Sequence, residues 1–255
     1  MDTGTRTSSG RMELRGTISV VTGGSRGIGL AIAAALVEGG GRVVITGRDQ
    51  NHLEAAAGEL QKNASDRDAV HAVRADVRNA REAAGAIDTA VRKFGGLDVL
   101  VNNAGVGLFA DVAGMSVGDW DQVIGTNLSG VFYCCHAALP HLRSRGGGWI
   151  INISSLAGKN SFVGGAAYCA SKAGLNAFSE SLMQEVRYDN IRVTYIMPGS
   201  VSTGFSGRGS GGEAEWKIAP ADIAEIVVDL ITFPSRSLPS RVEVRPSRPP
   251  SGTKK

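Results

Sequence analysis

A chain of 255 residues, 42% hydrophobic and 20% charged, is long enough to bury one large core and needs no division into domains. Its net charge of +3 is mild, with several basic residues in the terminal segments, which argues against a nucleic-acid-binding face. No apolar run reaches the about 18 residues of a membrane span, and Met1–Leu14 lacks the apolar stretch of a secretion signal; a cytoplasmic protein without a membrane partner is expected.

Short β-branched runs alternate with longer Ala-rich amphipathic stretches, the signature of βαβ units, a parallel sheet and helices on both faces. The expected strands are Ile18–Val21, Val43–Ile45, Val70–Val73, Val99–Val101, Trp149–Ile153, Val193–Ile196 and Val242–Val244. Helices are expected between them over Gly27–Glu38, Asn51–Lys62, Arg81–Phe94, Val117–Arg143 with a break near Thr126, Tyr168–Arg187 and Ala221–Thr232. One domain over residues 15–245 follows, with polar tails at 1–14 and 246–255. The Gly-rich run from Ser206 to Gly212 reads as a mobile loop near the site.

After the first strand comes Thr22-Gly23-Gly24-Ser25-Arg26-Gly27-Ile28-Gly29, opening a helix. Glycines there permit a tight turn and let backbone N–H groups approach a pyrophosphate at the helix N-terminus. Such a turn alone also occurs without a ligand, and its spacing differs from G-x-G-x-x-G. Where NAD selection places a carboxylate at the end of the second strand, this chain has Ile45-Thr46-Gly47-Arg48. Arg48 and Arg26 can instead pair with the 2′-phosphate of NADP; the alternative is two solvated surface arginines.

Tyr168 and Lys172 are four apart, so one helix face brings an ammonium near a phenol, and a fixed cation favours the phenolate of a group with a pKa of ~10. Ser155 follows the strand ending at Ile153, at the carboxyl edge where open α/β sheets bind ligands, and its hydroxyl can hold a substrate oxygen. Only one of Ser154 and Ser155 need do so, and serines also form turns at strand ends. Asn102-Asn103-Ala104-Gly105 ends a further strand with residues suited to close approach to a cofactor. The three cysteines form no CxxC pair, and His136 and His141 share no helix face, so no metal is expected.

Thr22–Gly29, Asn102–Gly105, Asn127, Ser155, Tyr168, Lys172 and Pro198-Gly199 together resemble the compact single-domain branch of the short-chain dehydrogenase/reductase family, from about Arg15 to Val244. The resemblance implies a doubly wound Rossmann fold of seven parallel strands in the order 3-2-1-4-5-6-7. It implies that Tyr168 exchanges the proton, Ser155 orients the carbonyl oxygen, and Lys172 binds the nicotinamide ribose and lowers the tyrosine pKa. Asn127 matches the family's fourth catalytic residue, which kinks a helix and holds a relay water. Asp76, with Val77, matches the adenine contact, and Pro198, Gly199, Val201 and Thr203 match the nicotinamide end. Homodimers or homotetramers built through the helices beginning near Val117 and Tyr168 are implied as well. Two departures stand out: the short Gly-rich segment between Thr203 and Trp216, and the ending from Arg241 in place of Asp-Gly-Gly.

The expected activity is NADP(H)-dependent hydride transfer to a carbonyl or from a secondary alcohol, 3-oxoacyl reductase-like members being the favoured comparison. Alternatives are an NADP(H)-binding redox sensor without turnover, an NAD-dependent alcohol, steroid or sugar dehydrogenase, and an epimerase or dehydratase. Val106, Leu108, Leu156, Phe162, Ser200 and Phe205 are the expected walls of a mostly apolar substrate pocket.

Overall fold

The computed structural model describes residues 12–203 and 215–250. The expected Ser206–Gly212 loop, Phe205 and the outer parts of both expected tails lie outside these.

Seven strands, β1 (Ile18–Val21), β2 (Arg42–Gly47), β3 (Val70–Arg74), β4 (Val99–Asn102), β5 (Gly148–Ile153), β6 (Ile191–Pro198) and β7 (Arg241–Val244), form one sheet. Its order is β3-β2-β1-β4-β5-β6-β7, and every pair is parallel. The helices are α1 (Gly27–Glu38), α2 (Gln50–Lys62), α3 (Ala80–Phe94), α4 (Val117–Ile124), α5 (Gly130–Ser144), α6 (Ala166–Val186) and α7 (Pro220–Ile231). Strands covered on both faces are apolar throughout, and successive side chains go to opposite sides. Val43, Ile45, Val99, Val101 and Ile151 face α1, α2 and α7. Val44, Leu100 and Ile150 face α3, α5 and α6.

Met12 is buried in the core beside α1 and α7, and Leu14 lies against Gly39, where an added Cβ would meet Leu14 Cδ1 at 2.5 Å. Met12 and Leu14, inside the stretch expected as a tail, are therefore packed, and Leu14 closes the carboxyl end of α1. At the amino end of β4, the largely buried Asp98 accepts from Ile18 N at 2.9 Å. It also accepts from Arg145 Nε at 2.9 Å and Nη2 at 3.2 Å. This forked pair ties the end of α5 to the two central strands.

The strand order reverses between β1 and β4, so chain segments leave their carboxyl ends in opposite directions and a crevice opens there. The expected helix break is a π-helical turn, Gly125–Ser129, in which Gly130 N donates to Gly125 O, between α4 and α5.

Candidate active site

The crevice is a cavity of about 700 Å³. Among its walls are Gly23, Ser25, Arg26, Gly27, Ile28, Arg48, Asp76, Val77, Asn103, Ala104, Gly105, Ser155, Tyr168, Lys172, Pro198, Gly199, Val201 and Thr203. Two expected residues, Gly29 and Asn127, stand behind the wall.

The glycines of the loop act in two ways. Gly23 (φ 63°) and Gly27 (φ 56°) adopt the left-handed conformation that L side chains resist. Gly29 serves close approach: a Cβ there would stand 2.3 Å from both Gly23 O and Asn103 Nδ2. Asn103 Nδ2 donates to Thr22 O and Gly23 O, each at 3.0 Å, and Thr22 Oγ1 accepts from Asn103 N and Ala104 N, each at 3.0 Å. The turns after β1 and β4 are thereby fastened together. Arg26 precedes α1 in extended backbone, and α1 has neither a side-chain cap nor an acidic residue in its first turn. Its free N–H groups and positive dipole end are available to an anion.

Arg26 and Arg48 are exposed on the cavity wall, and neither side chain forms a hydrogen bond or ion pair with another described residue. Asp76 is held by Arg78, with Nη2 2.6 Å from Oδ2, and this guanidinium keeps the carboxyl below the usual range. A glycine cradle, an uncapped helix and two exposed guanidinium groups on one wall suit the phosphates of a nicotinamide dinucleotide.

At the other end of the cavity, Ser155 leaves β5 in extended backbone, accepts from Ala157 N at 3.1 Å and hydrogen-bonds the Tyr168 side chain. Ser154 turns away, donating to Asn176 Oδ1 at 2.5 Å, so Ser155 is the serine of the pair placed beside Tyr168. Lys172 is buried, donates to Ile153 O at 2.8 Å and lies 5.8 Å from the centre of the Tyr168 ring. Burial brings its ammonium down to about 8. Burial also pushes the Tyr168 phenol up, against the opposing hydrogen bond of Ser155. Desolvation thus opposes the lowering of Tyr168 by Lys172 that the resemblance implies, and the Lys172 ammonium is turned to the Ile153 carbonyl.

Asn127, fully buried in the π-helical turn, uses its whole side-chain amide. Oδ1 accepts from Val106 N at 2.8 Å, while Nδ2 donates to Val106 O at 2.9 Å and Ser171 Oγ at 3.0 Å. It ties the segment after β4 to the helix that carries Tyr168 and Lys172.

Val106 and Ser200 line the cavity as expected of pocket residues. Thr46, Asp49, His52, Thr126 and Lys217 also line it and were not singled out from the sequence. Lys217 arrives through pairing of distant segments: Val201 and Ile218 form a parallel bridge, Ser202 N donates to Ile218 O at 2.9 Å, and Ile218 N donates to Ser200 O at 3.0 Å. No local motif signals it. Thr46 is a buried residue near the end of β2, which runs past the expected end at Ile45; the sequence shows it only within the stretch read for a missing carboxylate. Phe109 lies against Tyr168, one position beyond the expected Leu108. No cluster of possible metal ligands occurs among the described residues, and no described helix is long and apolar enough to cross a membrane.

The chain belongs to the short-chain dehydrogenase family, whose model matches residues 17–211. It is 36% identical over 229 residues to an uncharacterized oxidoreductase of Staphylococcus aureus, covering 90% of this chain and 96% of that protein. It is also 36% identical over 235 residues to an uncharacterized oxidoreductase of Staphylococcus saprophyticus, covering 92% and 99%. A metagenomic short-chain oxidoreductase in complex with NADP shares 38% identity at a TM-score of 0.81, over 93% of this chain and 100% of that one. An alcohol dehydrogenase from Thermococcus sibiricus complexed with 5-hydroxy-NADP shares 29% identity at a TM-score of 0.84, over 92% and 99%. The protein is thus an oxidoreductase of this family with a seven-stranded doubly wound fold.

Proposed function

We propose that this oxidoreductase uses NADP(H) to interconvert a ketone or other carbonyl compound and its alcohol, with Tyr168 as the proton carrier. The observation that carries the reading is the joining of Ser155, Tyr168 and Lys172 at one end of a cavity whose other end presents Arg26 and Arg48. The relatives complexed with NADP and with 5-hydroxy-NADP support the choice of cofactor. When bound, the reduced nicotinamide supplies a hydride. The Ser155 hydroxyl donates to the carbonyl oxygen and fixes its position. Tyr168, held protonated by burial, gives that oxygen its proton, which suits the reductive direction at neutral pH. Lys172 holds the ribose hydroxyls, and Asn127 keeps α6 in register with the segment after β4. Asp76 and Val77 bound the adenine end, while Pro198, Gly199, Val201 and Thr203 bound the nicotinamide end.

The resemblance favours 3-oxoacyl thioesters among substrates, and other ketones share the same reacting group. A cytoplasmic homodimer or homotetramer is part of this reading. Phe132 on α5, 48% exposed and 6.4 Å from the Phe178 ring on α6, supports self-association through these helices. The test is ketone-dependent oxidation of NADPH by the purified chain and by Tyr168→Phe. Turnover in the variant should fall about 10²–10⁴-fold with NADPH affinity retained; full turnover would refute the role of the tyrosine.

A further inference from the structure

Tyr168 belongs to a second feature, outside the cofactor cavity. Phe109, in the segment after β4, sets its ring nearly edge-on to Tyr168 with centroids 5.6 Å apart. Phe162, in the segment before α6, lies 5.8 Å from Phe109. The two segments meet: a Cβ on Gly164 would stand 3.9 Å from Asp111 Oδ1. Gly165 leaves the space that the Phe162 ring fills, since a Cβ there would come within 2.5 Å of it. Both phenylalanine rings remain open, 45% and 49% exposed, and Val163 is 93% exposed on the same segment as Phe162. Adjoining apolar side chains left open beside a reactive hydroxyl form a surface that gains by being covered.

The charge on these segments narrows what covers it. Residues Val106 to Met115 include one charged side chain, Asp111, and no cation. Between Ser155 and Tyr168 the one cation is Lys159, bonded to Glu243 at 2.7 Å. These two segments offer no unpaired cation to a phosphate or carboxylate. A flat ring can meet Phe109 and Phe162 at the about 4.5–7 Å spacing that aromatic pairs favour, and it freezes little internal rotation on seating, whereas a flexible acyl chain freezes much more.

We infer that the preferred substrate is a neutral ketone, or its secondary alcohol, bearing an aromatic ring next to the reacting carbon, with the ring seated on Phe109 and Phe162. This rests on Tyr168 as the proton carrier: Phe109 abuts that tyrosine, so a group seated on it lies beside the carbon whose oxygen Tyr168 and Ser155 address. The 3-oxoacyl thioester then ranks behind the aryl ketone.

The test compares acetophenone, 2-butanone and the N-acetylcysteamine thioester of 3-oxobutanoate as substrates with NADPH. The proteins are the unmodified chain, Phe109→Ala and Phe162→Ala, two exposed positions whose truncation spares the core. The unmodified chain should favour acetophenone in kcat/KM by at least about tenfold. Each variant should lose roughly tenfold more for acetophenone than for 2-butanone, chiefly in KM, with NADPH affinity retained. Equal use of the three ketones, preference for the thioester, or equal losses for all of them would overturn the ledge while leaving the carbonyl chemistry standing. Where no ketone is turned over, line broadening of acetophenone NMR signals by the NADPH-loaded protein decides. Broadening removed by Phe109→Ala supports the ledge and sinks only the turnover reading; absence of broadening overturns the ledge as well.

Discussion

Replacing Arg48 with alanine should separate the two nicotinamide cofactors. Arg48 follows β2 on the wall of the cavity, and its side chain forms no hydrogen bond or ion pair with another described residue, acting on the Asp76 carboxyl through its charge alone. Its backbone carbonyl, which accepts from Arg74 Nε at 3.1 Å, is unaffected by the substitution, so the cost to folding should stay within about 0.5 kcal/mol. A hydrogen bond to a charged group contributes about 1.5–3 kcal/mol, and the exposure of Arg48 puts its interaction with a 2′-phosphate at the low end. About 1.4 kcal/mol is tenfold in Kd. Titration by nicotinamide fluorescence should therefore show NADPH binding weakened about tenfold and NADH binding changed by less than about twofold. Arg26→Ala should act in the same sense, and raising salt from about 50 to about 200 mM should shrink the NADPH advantage of the unmodified chain more than that of the variants. Equal shifts for both cofactors, or none for either, would refute the assignment of these arginines to the 2′-phosphate.

Three further substitutions probe the site and its supports. Lys172 sits at about 8 instead of 10.5, so between those values the unfolded chain binds the proton that the folded chain releases. Unfolding free energy should accordingly rise with pH across that window in the unmodified chain relative to Lys172→Met, by on the order of 3 kcal/mol, and the difference should be level at lower pH; a level difference throughout would contradict the burial argument. Arg145→Ala strips Asp98 of its cation and should cost ~3 kcal/mol. In a thermal melt this lowers Tm by roughly 6–12 °C for a domain of this size, whereas a drop below about 2 °C would show the pair to be dispensable. Gly29→Ala puts a methyl group 2.3 Å from Gly23 O and Asn103 Nδ2, which must open the loop. NADPH and NADH affinity should fall together, by about tenfold or more, and unchanged binding of both would refute the close-approach role.

The strands and helices were legible because each carries its own period: continuous apolar runs for a doubly covered sheet, and wider amphipathic spacing between them. The loop after β1 and the Tyr168–Lys172 pair were legible for the same reason, since their chemistry lies within a few consecutive residues. Lys217 and the Asp98–Arg145 fork were not, because each depends on segments far apart in the chain meeting in space. Phe109 is the nearer miss: the segment after β4 was expected to wall the pocket, but the side chain that reaches Tyr168 is set by the path of an irregular segment with no period to read. The state of Tyr168 was hardest, because it depends on the balance of desolvation against neighbouring groups. Spacing shows that an ammonium lies near, but not that its Nζ turns to Ile153 O.

The wide turn at Gly125–Ser129 makes this enzyme sensitive to a kind of change that its loops would absorb. Each residue advances a helix by about 100°, so the ring closed from Gly130 to Gly125 sets the buried side of α5 out of phase with α4. Losing a single codon there would let one uninterrupted helix run from Val117 to Ser144. Val131, Cys134 and Ala138 would swing off the sheet, and Asn127 would lose its hold on Val106 and Ser171. The tie between the segment after β4 and α6 is stored here as a residue count, and a frame-preserving deletion can erase it without altering any side chain on the cavity wall.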